Sequence, residues 1–499
     1  MSLFRKLAKD SLTLSVTQIL LKLKGLILLP ILTKAFGTVN YGIWAQVAVI
    51  VGLLAPLAVS GLDSATMRFL PGKSKEEVRE GFFASFFHIT IVCVGISLIF
   101  WIISKPVANA FFEGVDNARF VAIAGIFMTS SVMRNFSRNY FRMFLQIKVF
   151  SVFTIFEALA TAFAAALIAL SGLGIYELIL VFIAINLAMT IVALGLIIHQ
   201  IGIVFPRFNY LKTYLAFGLP LVIGGWSMWI LNASDRLFIS HYLGLSALGI
   251  YSVAYSLGYM LINFFFNPIW LTFPPTAAEL YNTGQIEKLK QLCRYSSKYA
   301  LLLMIPAIVG FSILAEPVLK ILSTPEFASG ASLIPWVVVG YTFLMLGSYP
   351  ATGIELARKT PLMTFIYGFP AMLNIVLNAL LIPHYGLLGA AIATTISFFI
   401  QFLLSLVIGS HYLSFNWDVK SILKSCFATS IMAVVVWTIY AQTLLQFFGT
   451  VFIGVAVYMS ILLLIRSFSQ KEMHFLLGLI RLERIADWHV LQYLSNTDK

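Results

Sequence analysis

The chain has 499 residues, 60% hydrophobic and only 11% charged, with a mean hydropathy of +0.93. Soluble proteins carry about a quarter of their residues as Asp, Glu, Lys and Arg, so this composition excludes a set of water-facing domains. The 33 basic against 20 acidic residues give a net charge of +13, which fits either nucleic acid or positive cytoplasmic loops; the placement of the charges separates the two.

The first ten residues carry Arg5, Lys6 and Lys9 and resemble the basic start of a signal peptide. The apolar run behind them is interrupted by Gln18, Lys22 and Lys24, and no small-residue cleavage site follows, so a retained first membrane helix is expected. A crossing needs about 20 mostly apolar residues. Such runs lie near Leu12–Leu32, Tyr41–Leu62, Phe82–Ile103, Phe120–Met133, Phe150–Leu170, Tyr176–Ile198, Leu215–Ser240, Leu248–Phe273, Tyr299–Leu319, Leu333–Thr352, Leu362–Ile382, Leu387–Ile408, Ile422–Tyr440 and Leu445–Ile465. This pattern predicts an all-α, polytopic membrane protein of about fourteen transmembrane helices. The fourth run is short and fades into Arg134. Ser104–Arg119 and Glu316–Ser332 have room for a turn or a short helix. In Pro274–Lys298, Ile286, Leu289, Leu292 and Tyr295 recur at helical spacing among Lys288, Lys290 and Arg294, which predicts an amphipathic helix at the membrane surface. The tail from Ser467 to Lys499 reads the same way. Cys93, Cys293 and Cys426 show no metal-ligand or redox spacing.

With an even number of crossings and the N-terminus inside, the inside segments hold 26 basic residues. The outside loops hold only Lys34, Lys105, Arg119 and Lys320, while Lys22, Lys24 and Arg236 fall within helices. This bias places both termini in the cytoplasm and accounts for the net charge without nucleic acid. The basic stretches also lack the aromatic interleaving of a strand-binding groove.

An internal repeat is visible. Gly37 and Gly42 lie between the first two helices, and Gly244 and Gly249 lie 207 residues later between the seventh and eighth. Pro71-Gly72-Lys73 and Asn282-Thr283-Gly284 follow in corresponding inside loops, each before charged residues. The offset covers six crossings, so the halves have one orientation and form parallel repeats. The predicted organisation is a six-helix lobe over 1–206, a second over 207–412, two further helices over 413–466 and a cytoplasmic amphipathic tail over 467–499.

No phosphate-binding loop, Asp-x-Asp pair or His-Glu-x-x-His motif is present. No cofactor or metal is implied, and a transporter is expected rather than an enzyme. Ionisable residues at membrane depth then carry the chemistry, because a charge at a helix centre costs about 2.5–3.5 kcal/mol on insertion scales. Lys22 and Lys24 sit mid-helix about 200° apart, so at most one faces straight into a cavity; the roles open to them are binding an anion, snorkelling and pairing with a carboxylate. Arg236 is either a further anion-binding cation or half of an interhelical ion pair, and neighbouring Asp235 need not be its partner. Glu157 and Asp235 are the candidate coupling carboxylates, and Glu157 is otherwise the partner of a lysine. Arg134, Arg138 and Arg142 recur every four residues and form a basic face at the inner mouth. That face serves as a topology signal touching anionic lipid, or as a guide for an anionic lipid substrate.

The stretch Gly353-Ile354-Glu355-Leu356-Ala357-Arg358-Lys359-Thr360 continues through Leu373-Asn374-Ile375-Val376-Leu377-Asn378. It reaches Leu381-Ile382-Pro383-His384-Tyr385-Gly386-Leu387-Leu388-Gly389-Ala390-Ala391. This pattern resembles the polysaccharide biosynthesis proteins, the Wzx-like flippases of lipid-linked oligosaccharides in the multidrug/oligosaccharidyl-lipid/polysaccharide exporter superfamily. Gly37 to Gly42, and Gly61-Leu62-Asp63 leading to Arg68-Phe69, are similar to the family's first-half pattern. The resemblance covers essentially the whole chain and is weaker for substrate than for superfamily. It implies two MATE-like six-helix lobes around a central cavity, two extra helices, and alternating access. The implied cargo is a polyprenyl-(pyro)phosphate-linked oligosaccharide turned from the inner to the outer leaflet of the cell membrane. Lys22, Lys24 and Arg236 occupy helices in which the family keeps cations for phosphate. H+ or Na+ coupling and a monomeric state are part of the same expectation. A drug or metabolite antiporter of the superfamily shares fold and repeat but needs a functional carboxylate. A polytopic glycan polymerase or ligase needs a large outside loop that is missing.

Overall fold

The computed structural model describes residues 2–439, 443–468 and 472, with the side chains of 2–12, 14–16, 18, 19, 22 and 23 outside that description. Fourteen α-helices follow in order: α1 (Ser2–Val59), α2 (Leu62–Phe69), α3 (Lys75–Ile102), α4 (Ser104–Phe111), α5 (Ala118–Met143), α6 (Ile147–Leu170), α7 (Ile175–Ile201), α8 (Leu211–Asn282), α9 (Ile286–Ile313), α10 (Ala315–Leu322), α11 (Ile334–Leu356), α12 (Thr360–Gly409), α13 (Val419–Thr438) and α14 (Leu444–Leu464). No strand occurs among the described residues. Among the described residues eleven helices are long and apolar enough to cross a membrane. Three of them, α1, α8 and α12, are each divided by a kink at one glycine, Gly37, Gly244 and Gly386, so the described chain carries fourteen segments of spanning length. Large apolar side chains stand exposed on the outer faces, among them Ile102 at 71%, Leu170 at 86% and Leu445 at 83%. A water-facing protein does not present such faces, whereas hydrocarbon requires them. The chain is a multi-pass membrane protein.

The helix ends follow from local chemistry. α1 stops where Ser60 and Gly61 adopt left-handed φ values of 53° and 69°. α3 starts on a capping box in which Ser74 and Glu77 satisfy each other's backbone N–H groups. Asp418 caps α13 by accepting from the Ser421 N–H at 3.1 Å. Burial opposes ionisation of Asp418, but the Ser421 bonds and nearby Lys298 outweigh it and hold the carboxyl below its ordinary value.

Two expectations change. α5 does not end near Met133 but runs to Met143, because its arginines find partners inside the bundle. The segment expected as a separate surface helix is absent; α8 runs on to Asn282, the chain turns at Gly284 (φ 73°), and Ile286 to Tyr295 form the first turns of α9. The tail expected over 467–499 lies outside the described residues apart from 467, 468 and 472. Two short helices, α4 and α10, occupy the two stretches expected to have room for a turn or a short helix.

The structure divides into two compact units. The first comprises Met1–Ser256, Leu322–Leu333 and Tyr367–Ser397; the second comprises Leu257–Ile321, Ile334–Ile366 and Phe398–Lys499. In the first, α5 packs against α1, α3, α6 and α7, with Phe82 stacked on Phe136 at 5.5 Å. In the second, α13 packs on α9 and α14, and Trp270, Phe273 and fully buried Tyr349 form an aromatic core. There Lys298 lies 2.7 Å from Glu472 and 3.5 Å from Asp418.

Within the first unit the repeated glycines meet. A Cβ on Gly42 would fall 1.9 Å from the Leu245 carbonyl oxygen, and one on Gly249 would fall 2.1 Å from the Thr38 carbonyl oxygen. Thr38 and Leu245 are themselves 207 residues apart, so the contact is reciprocal. Ser246 donates to the Thr38 hydroxyl at 2.8 Å, and the Leu245 N–H donates to the Glu113 carboxylate at 2.6 Å. Gly42→Ala and Gly249→Ala should each destabilise the protein by about 1–3 kcal/mol through overpacking against a fixed carbonyl. Gly195→Ala, with nothing within 4 Å of its Cβ position, should leave thermal unfolding near that of the parent. Fluorescence-monitored melting of the detergent-solubilised variants checks this.

Candidate functional site

Four helices of the first unit bring their polar residues to one place. α5 presents Arg134, Asn135 and Arg138 within little more than one turn, α6 presents Glu157, α1 presents Lys24 and α7 presents Asn186. Arg134 Nη1 lies 2.8 Å from Glu157 Oε1, and Arg138 Nη1 lies 2.9 Å from Glu157 Oε2, so each guanidinium takes one carboxylate oxygen. Lys24 Nζ stands 3.8 Å from Oε1. Asn135 Oδ1 accepts from both arginines, at 3.1 and 3.0 Å. Asn186 Oδ1 accepts from Arg134, and its amide donates to Ser130 and Ser131 at 3.3 and 3.1 Å. The Glu157 side chain is 10% exposed and those of Lys24, Arg134 and Arg138 are 21%, 13% and 18% exposed.

Three cations surround one carboxylate, which leaves two positive charges uncompensated within the group. Removing charges from water costs several kcal/mol per ion unless partners are supplied. Glu157 and the two asparagines meet part of that cost, yet Nε of Arg134 and of Arg138 is buried without a hydrogen-bond partner. Such an arrangement attracts a compact polyanion with several acceptor oxygens, such as a phosphate or diphosphate.

Arg134 and Arg138 are thus turned into the bundle rather than displayed as a surface face. Arg142 does not join them; it packs 6.0 Å from the Phe150 ring centre. The Lys22 side chain lies outside the described residues. Asn135 and Asn186 were missed in the sequence reading, although a lone amide within the apolar run Ile183-Ala184-Ile185-Asn186-Leu187-Ala188-Met189 is a usable signal of a buried polar contact.

A second polar group lies on α8 and α12. Asp235, 1% exposed, accepts from the Tyr251 hydroxyl, from Thr394 Oγ1 at 3.4 Å and from the Arg236 N–H at 2.9 Å. Arg236 Nη1 is 3.6 Å from Asp235 Oδ1 and donates to the Asn232 carbonyl at 2.6 Å. Its guanidinium lies 4.3 Å from the Tyr255 ring centre. Beside Arg236 is a cavity of about 250 Å³ whose lining includes Tyr41, Trp44, Trp229, Ser252 and Ser256. Among the described residues no group of three or more His, Cys, Asp or Glu is arranged to hold a metal ion.

Glu157→Gln removes the shared counter-charge while keeping an acceptor. The variant should melt lower by about 3–5 kcal/mol, the usual result of stranding buried charge. Inorganic pyrophosphate should then restore its melting temperature by more than it raises that of the parent. A thermal-shift titration of both proteins measures the difference.

Comparison with known proteins places this geometry in context. The family described as "Polysaccharide biosynthesis protein" matches residues 31–331. An uncharacterized membrane protein of Methanocaldococcus jannaschii is 24% identical over 242 residues, covering 47% of each chain. The probable low-salt glycan biosynthesis flippase Agl15 of Haloferax volcanii is 25% identical over 255 residues, 49% of this chain and 53% of the relative. The chain spans about half the length of these curated relatives. Among solved structures, the lipid II flippase MurJ in an inward closed conformation superposes with a TM-score of 0.76 at 16% identity, covering 90% of this chain and 97% of that one. An inward-facing multidrug resistance MATE family transporter of the MOP superfamily gives 0.64 at 18% identity, covering 81% and 98%. These structures share the fold. With the family description matched over more than half of its length, the chain belongs to the polysaccharide biosynthesis protein family.

Proposed function

We propose that the chain is a flippase, not an enzyme, turning a polyprenyl-(pyro)phosphate-linked oligosaccharide from the inner to the outer leaflet of the cell membrane by alternating access. The observation that carries this reading is the cluster of Lys24, Arg134 and Arg138 around the single carboxylate Glu157. A diphosphate entering an apolar bundle needs charge partners there, and an excess of two positive charges suits one such group without holding it irreversibly. The flippase names carried by Agl15 and MurJ support the same class of cargo. Two six-helix lobes over 1–206 and 207–412, both termini in the cytoplasm and a monomeric state complete the proposal, with the 26-to-4 bias of basic residues supporting the orientation.

Coupling to H+ or Na+ falls to Asp235 in this scheme. Glu157 is already surrounded by three cations, whereas Asp235 is a buried carboxyl held by hydroxyl groups and one arginine. The same carboxyl favours a second reading, an ion-coupled antiporter of drugs or metabolites, against which the positive excess at Glu157 argues for an anionic cargo.

Reconstitution into vesicles with a lipid-linked oligosaccharide tests the proposal. Lys24→Ala and Arg138→Ala should each cut translocation by about tenfold or more, the value of a lost charge-assisted contact. Arg142→Ala should retain most of it. Undiminished transport in Lys24→Ala, Arg138→Ala and their combination would overturn the anion site. Asp235→Asn should abolish the dependence on a proton or sodium gradient while exchange without a gradient persists; a retained dependence removes Asp235 from coupling.

A further inference from the structure

We infer that the cavity between Trp44 and Trp229 is a saccharide subsite that holds one sugar ring of the transported glycan. This rests on the flippase reading and assigns a second part of the same cargo to a second place in the first unit. The cavity is about 250 Å³, below the roughly 300–1,000 Å³ of sites for drug-sized ligands. Its lining combines flat aromatic walls, Tyr41, Trp44 and Trp229, with the Ser252 and Ser256 hydroxyls and the guanidinium of Arg236. A pyranose ring presents apolar C–H faces and a rim of hydroxyls. The aromatic planes, electron-rich on their faces, suit the former, and the hydroxyl and guanidinium groups suit the latter.

Ser252 supplies an independent pointer. Its side chain is 4% exposed, it lines the cavity, and its hydroxyl has no hydrogen-bond partner. Buried hydroxyls are nearly always paired, and leaving one unpaired costs about 1–3 kcal/mol. A ligand hydroxyl is a partner of matching chemistry. A lipid tail would leave Ser252 and Arg236 facing hydrocarbon, and an organic cation would meet the charge of Arg236.

The place also fits. Trp44 packs on Phe127 of α5 and Phe182 of α7, with ring centres 5.8 and 5.5 Å apart. Arg134 lies seven residues beyond Phe127 on α5 and Asn186 four residues beyond Phe182 on α7, about 10 and 6 Å at 1.5 Å per residue. Phe127 and Phe182, the rings behind Trp44, therefore sit one to two helical turns from Arg134 and Asn186 of the cation cluster, which suits a single molecule with its phosphates at Arg138 and its first sugars against Trp44. The walls are tightly set, since a Cβ on Gly52 would come within 2.8 Å of Trp229 Nε1.

The test is saturation-transfer NMR on the full-length protein in nanodiscs, with glucose, galactose, N-acetylglucosamine and glucuronate as separate probes. At least one should show saturable millimolar binding to the parent protein. Ser252→Ala, which keeps the cavity's shape, should weaken that binding about three- to tenfold. Ala48 also lines the cavity, and Ala48→Trp, which fills it, should abolish that binding while the shift in melting temperature on adding pyrophosphate persists, showing a folded protein. No transfer from any of the four sugars to the parent, or equal transfer in Ala48→Trp, would overturn the subsite. If pyrophosphate fails to stabilise the parent while the sugars still depend on Ala48 and Ser252, the phosphate site falls and the saccharide subsite stands.

Discussion

One carboxylate among three cations governs the polar cluster shared by α1, α5, α6 and α7. Glu157 ties α1, α5 and α6 together through Lys24, Arg134 and Arg138, and Asn186 extends the tie to α7. Without such a partner, α5 could not carry two arginines into an apolar bundle and would have to end where its apolar run ends. The length of α5, the inward orientation of its arginines and the local positive excess are three outcomes of one electrostatic requirement. The requirement is only partly met, and the part left over is what a ligand can use.

The separation of charge from aromatic surface follows helix register. Phe127 and Arg134 are two turns apart on α5; Phe182 and Asn186 are one turn apart on α7. Each helix thus carries an apolar, ring-bearing stretch and a polar stretch in fixed succession. A cargo whose anionic and glycosidic parts adjoin each other has the same succession.

Much of the fold was legible because the bilayer imposes length and apolarity on every crossing, and the fourteen apolar runs register both. The glycines at 37, 42, 244 and 249 were visible as a repeat, but not that they would touch, since a spacing of 207 residues carries no information on packing across the chain. Arg134, Arg138 and Glu157 were each singled out, yet hydropathy treats a charged residue as an interruption and is blind to its partner. The α5 boundary was misplaced for that reason. Similarly, Ile286 to Tyr295 had the spacing of a surface helix, and only the turn at Gly284 shows that these residues open a membrane helix. Asn135, Asn186 and Ser252 act through what surrounds them, and that is set by tertiary packing.

The reciprocal contact of the glycine turns has one more implication. Gly42 meets Leu245 and Gly249 meets Thr38, and each pair maps onto the other by the same offset of 207 residues. Residue i touching j while j's counterpart touches i's counterpart is the rule of an isologous interface, the kind that closes a two-fold homodimer. Each half therefore carries both surfaces of the contact, as one copy of a two-fold pair does. The charges do not share this symmetry: Lys24, paired with Glu157, stands 207 residues before an uncharged leucine, Leu231.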